Sequence, residues 1–223
     1  PPGFGLFGPQ LDQYLLQRLL LSADLRVQES FRAYVQLIHA VQVGRNPVGP
    51  TDANQGDLAQ AFVELPLPVA SQGGGRLRVG RQEVALGSQR LVSTRDGANA
   101  RRSFDGFRLM YSNDDVAING LALRPVALRD GSPFDDVSDL SQALWGVYST
   151  LPLRFVPGLF ADLYYLGFEN RQATYGQIRG VEERHSIGIR LFGAERGWDW
   201  NVEGVYQFGT FANQSIGAWT LSS

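Results

Sequence analysis

The chain has no cysteine, no lysine, only two histidines, and no run of about 18 apolar residues anywhere in its 223 positions. Without cysteine there is neither a disulfide framework nor a thiolate metal site. Without a long apolar run, a membrane-spanning helix is excluded. The 20 basic residues, all arginine, face 22 acidic ones, a formal net charge of −2, so no global field attracts nucleic acid or anionic lipid. No nucleophile elbow and no Ser/His/Asp constellation is present, which leaves hydrolytic chemistry without a scaffold. Disorder is excluded as well. Aromatics at 11% and 26 glycines fit a strand-rich protein with many turns. A mean hydropathy of −0.15 suits a soluble protein and equally a membrane barrel, whose inward positions are polar.

What the chain does have is alternation with period two. Leu15, Leu19, Leu21, Ala23, Leu25 and Val27 share one parity, while Arg18, Ser22, Asp24 and Arg26 share the other. Phe31, Ala33, Val35 and Leu37 alternate with Arg32, Tyr34 and Gln36. The same pattern returns in Ala59–Leu65, in His185, Ile187, Ile189 and Leu191 against Arg184, Ser186, Gly188 and Arg190, and in Trp198, Trp200 and Val202 against Asp199, Asn201 and Glu203. Such segments are strands with one apolar and one polar face. No helical periodicity competes with them. Tyr14, Tyr111, Trp145, Tyr148, Tyr164, Tyr165, Trp198, Trp200 and Tyr206 fall near strand ends or on the apolar parity, as interfacial girdles would place them.

The connections keep a rhythm. Those at 28–30, 70–75, 112–115, 150–157 and 193–197 are short; those at 44–57, 84–102, 128–141 and 169–183 are long. Outer-membrane barrels alternate tight periplasmic turns with long outer loops in this way, whereas a soluble β-sandwich has no reason to. The expected fold is therefore all-β, an antiparallel transmembrane β-barrel, with about eleven strands in this chain. Residues 1–223 read as one barrel domain without a linker. Barrels of this type begin and end in the periplasm with an even strand number, and an open sheet would leave bare edges in lipid. The domain is accordingly expected to be incomplete at both ends.

Arginine is concentrated in residues 76–108, which hold Arg76, Arg78, Arg81, Arg90, Arg95, Arg101, Arg102 and Arg108. The exclusive use of arginine reflects either genomic base composition or bidentate recognition of carboxylates, and both readings stay open. This stretch, Arg-Leu-Arg-Val-Gly-Arg-Gln-Glu at 76–83, Gly-Ser-Gln-Arg-Leu-Val at 87–92 and Asn-Ala-Arg-Arg-Ser-Phe-Asp-Gly-Phe-Arg at 99–108, resembles the alginate-export family. Asp-Leu-Tyr-Tyr-Leu-Gly at 162–167 is similar to a later strand of the same family. The resemblance implies an 18-stranded, monomeric outer-membrane barrel of a Gram-negative bacterium. It also implies that a polyuronate passes through an electropositive pore restricted by loops folded into the lumen.

Parity assigns the residues of such a pore. Arg76 and Arg78 share a face with Gly80 and Gln82, and Arg108 alternates with Phe107 and Leu109, so all three arginines should face the lumen. Arg18, Arg26, Arg184 and Arg190 have the same parity on other strands, while Arg90, Arg95, Arg101 and Arg102 belong to the connection beside them. Arg81 falls on the apolar parity, which predicts a bulge or a rim position. A ring of fixed guanidiniums lowers the entry barrier for carboxylates. The plainer reading pairs these arginines with Asp24, Glu64, Asp105, Asp162, Asp199 and Glu203 as ordinary lumen salt bridges.

Other constellations carry less. Glu182-Glu183-Arg184-His185 is no metal site on this reading, because His185 lies on the apolar parity. The acidic stretch Asp130–Asp139 lacks the ordered ligand spacing of a calcium loop and reads as a polar outer loop. No cofactor is expected. The partners expected are an anionic polysaccharide or small anionic solute, outer-membrane lipid and periplasmic export machinery, with no nucleic acid. A general porin for small solutes is the alternative, and a barrel-based outer-membrane enzyme a more distant one.

Overall fold

The computed structural model describes residues 14–28, 30–44, 49, 51–69 and 73–223. Twelve strands and no helix make up the described chain: β1 (Leu15–Val27), β2 (Phe31–Val43), β3 (Asn54–Leu67), β4 (Gly74–Gln82), β5 (Phe104–Ser112), β6 (Ala117–Ala127), β7 (Val137–Ser138), β8 (Gln142–Pro152), β9 (Leu159–Tyr175), β10 (Ile178–Glu195), β11 (Trp198–Phe211) and β12 (Gln214–Ser222). Eleven of them pair antiparallel, each with its successor in the chain, and the two-residue β7 adds to β6 beyond β8. This is the meander expected from the alternation. The sheet is not closed, since β1 and β12 each pair with one neighbour only.

The two faces separate as the period requires. On β1 the odd-numbered Leu15, Leu19, Leu21 and Leu25 are 59–67% exposed. Val35, Val63, Phe107, Leu109, Val147, Ile187, Ile189, Tyr206 and Trp219 continue this exposed apolar surface across the sheet. In water so much bare hydrocarbon would be untenable, whereas acyl chains solvate it. The opposite face carries the arginines and carboxylates.

One expectation about the connections needs correction. The segment 169–183, expected as a long loop, continues β9 and β10 to a turn at Gly176 and Gln177, with a register shift between Gly180 and Glu182. Apolar alternation fades there because these strand ends project past β8, whose pairing with β9 stops at Asn170. Backbone groups there still need partners, so the hairpin persists without the pattern. The last strand, β12, is joined to β11 by a tight turn. Tyr148 and Tyr164, grouped above with the girdle aromatics, lie on the polar face and stack there with centroids 5.1 Å apart.

Candidate functional site: the polar face and the connection across it

The connection 83–103 between β4 and β5 is the element that shapes the polar face. Val84, Leu86 and Val92 join one buried cluster with Phe104, Leu121, Leu123, Leu144, Tyr148, Tyr164, Leu166 and Val205. At its other end Ala100 is buried against Ile38 and Ala40. The Asn99 amide donates to the carbonyls of Gln17, Val41 and Asp52, and the Arg18 guanidinium donates to the carbonyls of Ala98 and Asn99 at 3.2 and 3.4 Å. Ser88 meanwhile donates to Glu203 on β11.

These contacts require curvature. From β1 to β11 there are nine strand spacings, about 43 Å in a flat sheet. The eleven residue steps from Ser88 to Asn99 reach about 40 Å even fully extended, and this stretch folds back on itself through hydrogen bonds from Leu86 to Val92 and from Ala98 to Arg95. The sheet therefore bends around the connection. The polar face is concave and the apolar face convex.

Docking is tight at two glycines. A Cβ on Gly87, whose φ is +52°, would lie 2.1 Å from the Tyr148 hydroxyl. A Cβ on Gly188 would lie 2.1 Å from the Tyr164 ring. The stacked tyrosines occupy the space those side chains would need. Their hydroxyls donate to buried carboxylates, Tyr148 to Asp162 and Tyr164 to Glu203, both at 2.7 Å.

The sequence-predicted arginines divide by what they face. Arg190 donates to Asp162 at 2.9 Å and to Asn201 at 2.7 Å, and lies over Phe192. Arg184 pairs with Glu182 and donates to Gln207. Arg78 pairs with Glu64 at 3.3 Å and lies 4.1 Å over the Phe62 ring. Arg108 makes two hydrogen bonds to the Asn119 amide oxygen, at 2.9 and 2.7 Å. Arg26 pairs with Asp24, Arg90 with Glu203, and Arg101 with Glu83 and Asp96. Among the described residues no ion pair forms at Arg76, Arg95 or Arg102. Arg76 lines a recess with Arg26, Arg32 and Glu64. Arg102 lines another with Arg184, Gln207 and Phe168, and burial pushes its guanidinium below the usual range.

One predicted lumen residue lies elsewhere. Asp105 shares the parity of Phe107 and Leu109, on the convex face, where it pairs with Arg81 and accepts a bond from Ser138. Arg81 sits in regular register opposite Ala61 and Asp105, without a bulge, and the connection 128–141 covers it at the rim. Asp199 keeps the predicted parity, paired with Ala194. His185 lies with Tyr165, Phe208 and Trp145 in an aromatic group of the convex face.

Sequence reasoning missed Arg32 as a site residue. It bridges Asp24 at 2.9 Å and Glu64 at 3.0 Å, close to the stacked rings of Tyr34 and Phe62. Its parity on β2 was the available signal. The amides Asn119, Asn201 and Gln207 were also missed, because a neutral side chain carries no charge pattern to follow.

The model of one family, Alginate export, matches residues 2–223. The chain belongs to the alginate export family. No curated protein and no solved structure matches it. This membership, with the all-β antiparallel architecture, makes the chain an outer-membrane β-barrel protein of a transport porin family, one that forms polysaccharide export pores in general. The exposed apolar convex face is the physical counterpart of that assignment.

Proposed function

We propose that the concave face of this family member forms an arginine-lined wall along which an anionic, alginate-like polysaccharide crosses the outer membrane of a Gram-negative bacterium. The supporting observation is the alignment on that face of Arg76, Arg78, Arg108, Arg184 and Arg190 from three strands, with Arg101 and Arg102 added by the connection 83–103. Fixed guanidiniums attract carboxylates, and their carboxylate and amide partners hold them in extended positions while moderating their field. Moderate, repeated sites let a polymer advance instead of binding it permanently. The connection narrows the path, and residues 84–92 anchor it. Lipid against the convex face and export machinery on the periplasmic side are the partners this reading requires.

A pore for small anions is the competing reading, favoured by the number of concave arginines that already face a carboxylate. Planar-bilayer recording on the full-length protein distinguishes the two. The polymer reading expects an anion-favouring reversal potential and a conductance blocked by polyuronate, the block being relieved in Arg76→Ala, Arg78→Ala and Arg108→Ala. Anion selectivity indifferent to polyuronate supports the small-solute pore. Cation preference overturns both.

A further inference from the structure

At the rim of the sheet, Asp57, Asp135 and Asp136 bring one carboxylate oxygen each within 4.8 Å of one another. Asp57 stands near the start of β3, whereas the other two belong to the connection between β6 and β7. Asp57 is 1% and Asp136 8% exposed. Among the described residues no arginine forms an ion pair with any of the three. Arg81, the nearest guanidinium, is engaged with Asp105 and reaches this group only through the backbone carbonyl of Asp136, at 3.2 Å. Three carboxylates so close and so poorly hydrated repel strongly unless something positive lies among them.

Two orphaned oxygens mark where that charge belongs. Asn54 is 1% exposed, and its amide nitrogen donates to Asp136 Oδ2 at 2.9 Å. Its amide oxygen, on the same planar group and hence beside the carboxylates, has no hydrogen-bond partner. Asp135 Oδ1 is also buried without a partner, although Oδ2 of the same carboxylate accepts bonds from Ser132. A buried acceptor left unmatched costs on the order of 1–3 kcal/mol. A water molecule could donate to these oxygens, but it would leave the like charges uncompensated.

We propose that Asn54, Asp57, Asp135 and Asp136 bind a calcium ion. The set is made wholly of hard oxygen donors, three of them anionic, and Ca²⁺ takes six to eight such ligands, completing its shell with water or backbone carbonyls. The hydrogen bonds already present do not compete. Asp57 accepts from the Leu58 and Asp136 backbone N–H groups and Asp136 from that of Arg129, each using one lone pair of an oxygen. The ion joins two segments 79 positions apart in the chain. It clamps the connection 128–141 over β3, where the Phe134 N–H meets the Gly56 carbonyl and the Phe134 ring lies in a recess with Leu19, Leu21, Leu37 and His39. The Asp130–Asp139 stretch lacks calcium-loop spacing because the third and fourth ligands, Asn54 and Asp57, come from β3.

Calcium titration of the chelator-washed full-length protein in detergent micelles, by calorimetry and terbium luminescence, tests this. One saturable site per chain is expected. Asp135→Asn should weaken it about tenfold or more by removing one anionic ligand, and Asp57→Asn combined with Asp135→Asn should abolish it. Asp130→Asn, in the same loop but outside the cluster, should bind as the unaltered protein does. Because Asp57 is buried, heat-modifiable gel migration verifies that each variant is folded, and the more exposed Asp135 gives a variant expected to fold. Absence of saturable binding in the unaltered protein, or binding that a folded Asp135→Asn variant leaves intact, overturns the proposal.

Discussion

Arg81 and Asp105 meet across β4 and β5 on the convex face, with Nε–Oδ1 at 2.9 Å and Nη2–Oδ2 at 3.1 Å. Their parity elsewhere carries Leu77, Val79, Phe107 and Leu109, side chains suited to lipid. Charge on that surface is costly when bare. Here the pair neutralises itself, and the connection 128–141 supplies the Ser138 hydroxyl and the Asp136 carbonyl as further partners.

Removing one member should therefore be far worse than removing both. Asp105→Leu strands a mostly buried guanidinium and should cost roughly 3 kcal/mol, whereas Arg81→Leu with Asp105→Leu should be near neutral. Urea unfolding in lipid vesicles, followed by gel migration, checks this double-mutant cycle. Equal losses in the single and double variants would contradict it.

Gly87 is the tightest point of the docked connection. Replacement by valine places a branched side chain where the Tyr148 hydroxyl lies and imposes a φ of +52° on a β-branched residue. The barrel strands should form unchanged while residues 84–92 lift from the concave face. Single-channel conductance should rise, and proteolysis within this segment should quicken.

Arg76 forms no ion pair among the described residues, whereas Arg184 pairs with Glu182. Arg76→Gln should lower anion selectivity in bilayers. The joint Arg184→Gln and Glu182→Gln replacement removes no net charge and should leave the reversal potential nearly unchanged. Salt should weaken the Arg76 effect, since an exposed charge is screened.

Glu83 gives the docking of this connection a pH dependence. Burial holds its carboxyl above the ordinary value of 4.5, outweighing the opposing pull of Arg101. The docked form therefore binds a proton more readily than the free loop does. Docking is favoured below the ordinary carboxyl range and loses that advantage as pH rises through the raised pKa. Limited proteolysis of the connection should be slower toward acid pH, and Glu83→Gln should flatten the profile without loosening the loop.

The strands and their faces were legible because alternation is a local property. A residue's parity places it in lipid or lumen whatever its distant neighbours do. That reasoning located Arg78, Arg108 and Arg190 on the polar face. It failed at 169–183, where the strand ends project past β8 and the apolar alternation fades. It failed again at Asp105, which was assigned by its charge when its parity already pointed outward.

By itself, then, the sequence determined the all-β class, the order of the meander, and which side chains share the exposed apolar face. Each follows from a two-residue period that hydrophobic burial enforces strand by strand. Only the tertiary structure decided that the 83–103 connection lies across the concave face on Tyr148, that Arg81 is covered at the rim, and that Asp57 meets Asp135 and Asp136. Those contacts join residues tens of positions apart. They depend on the curvature of the whole sheet and on which way each long connection folds, quantities that no local pattern encodes.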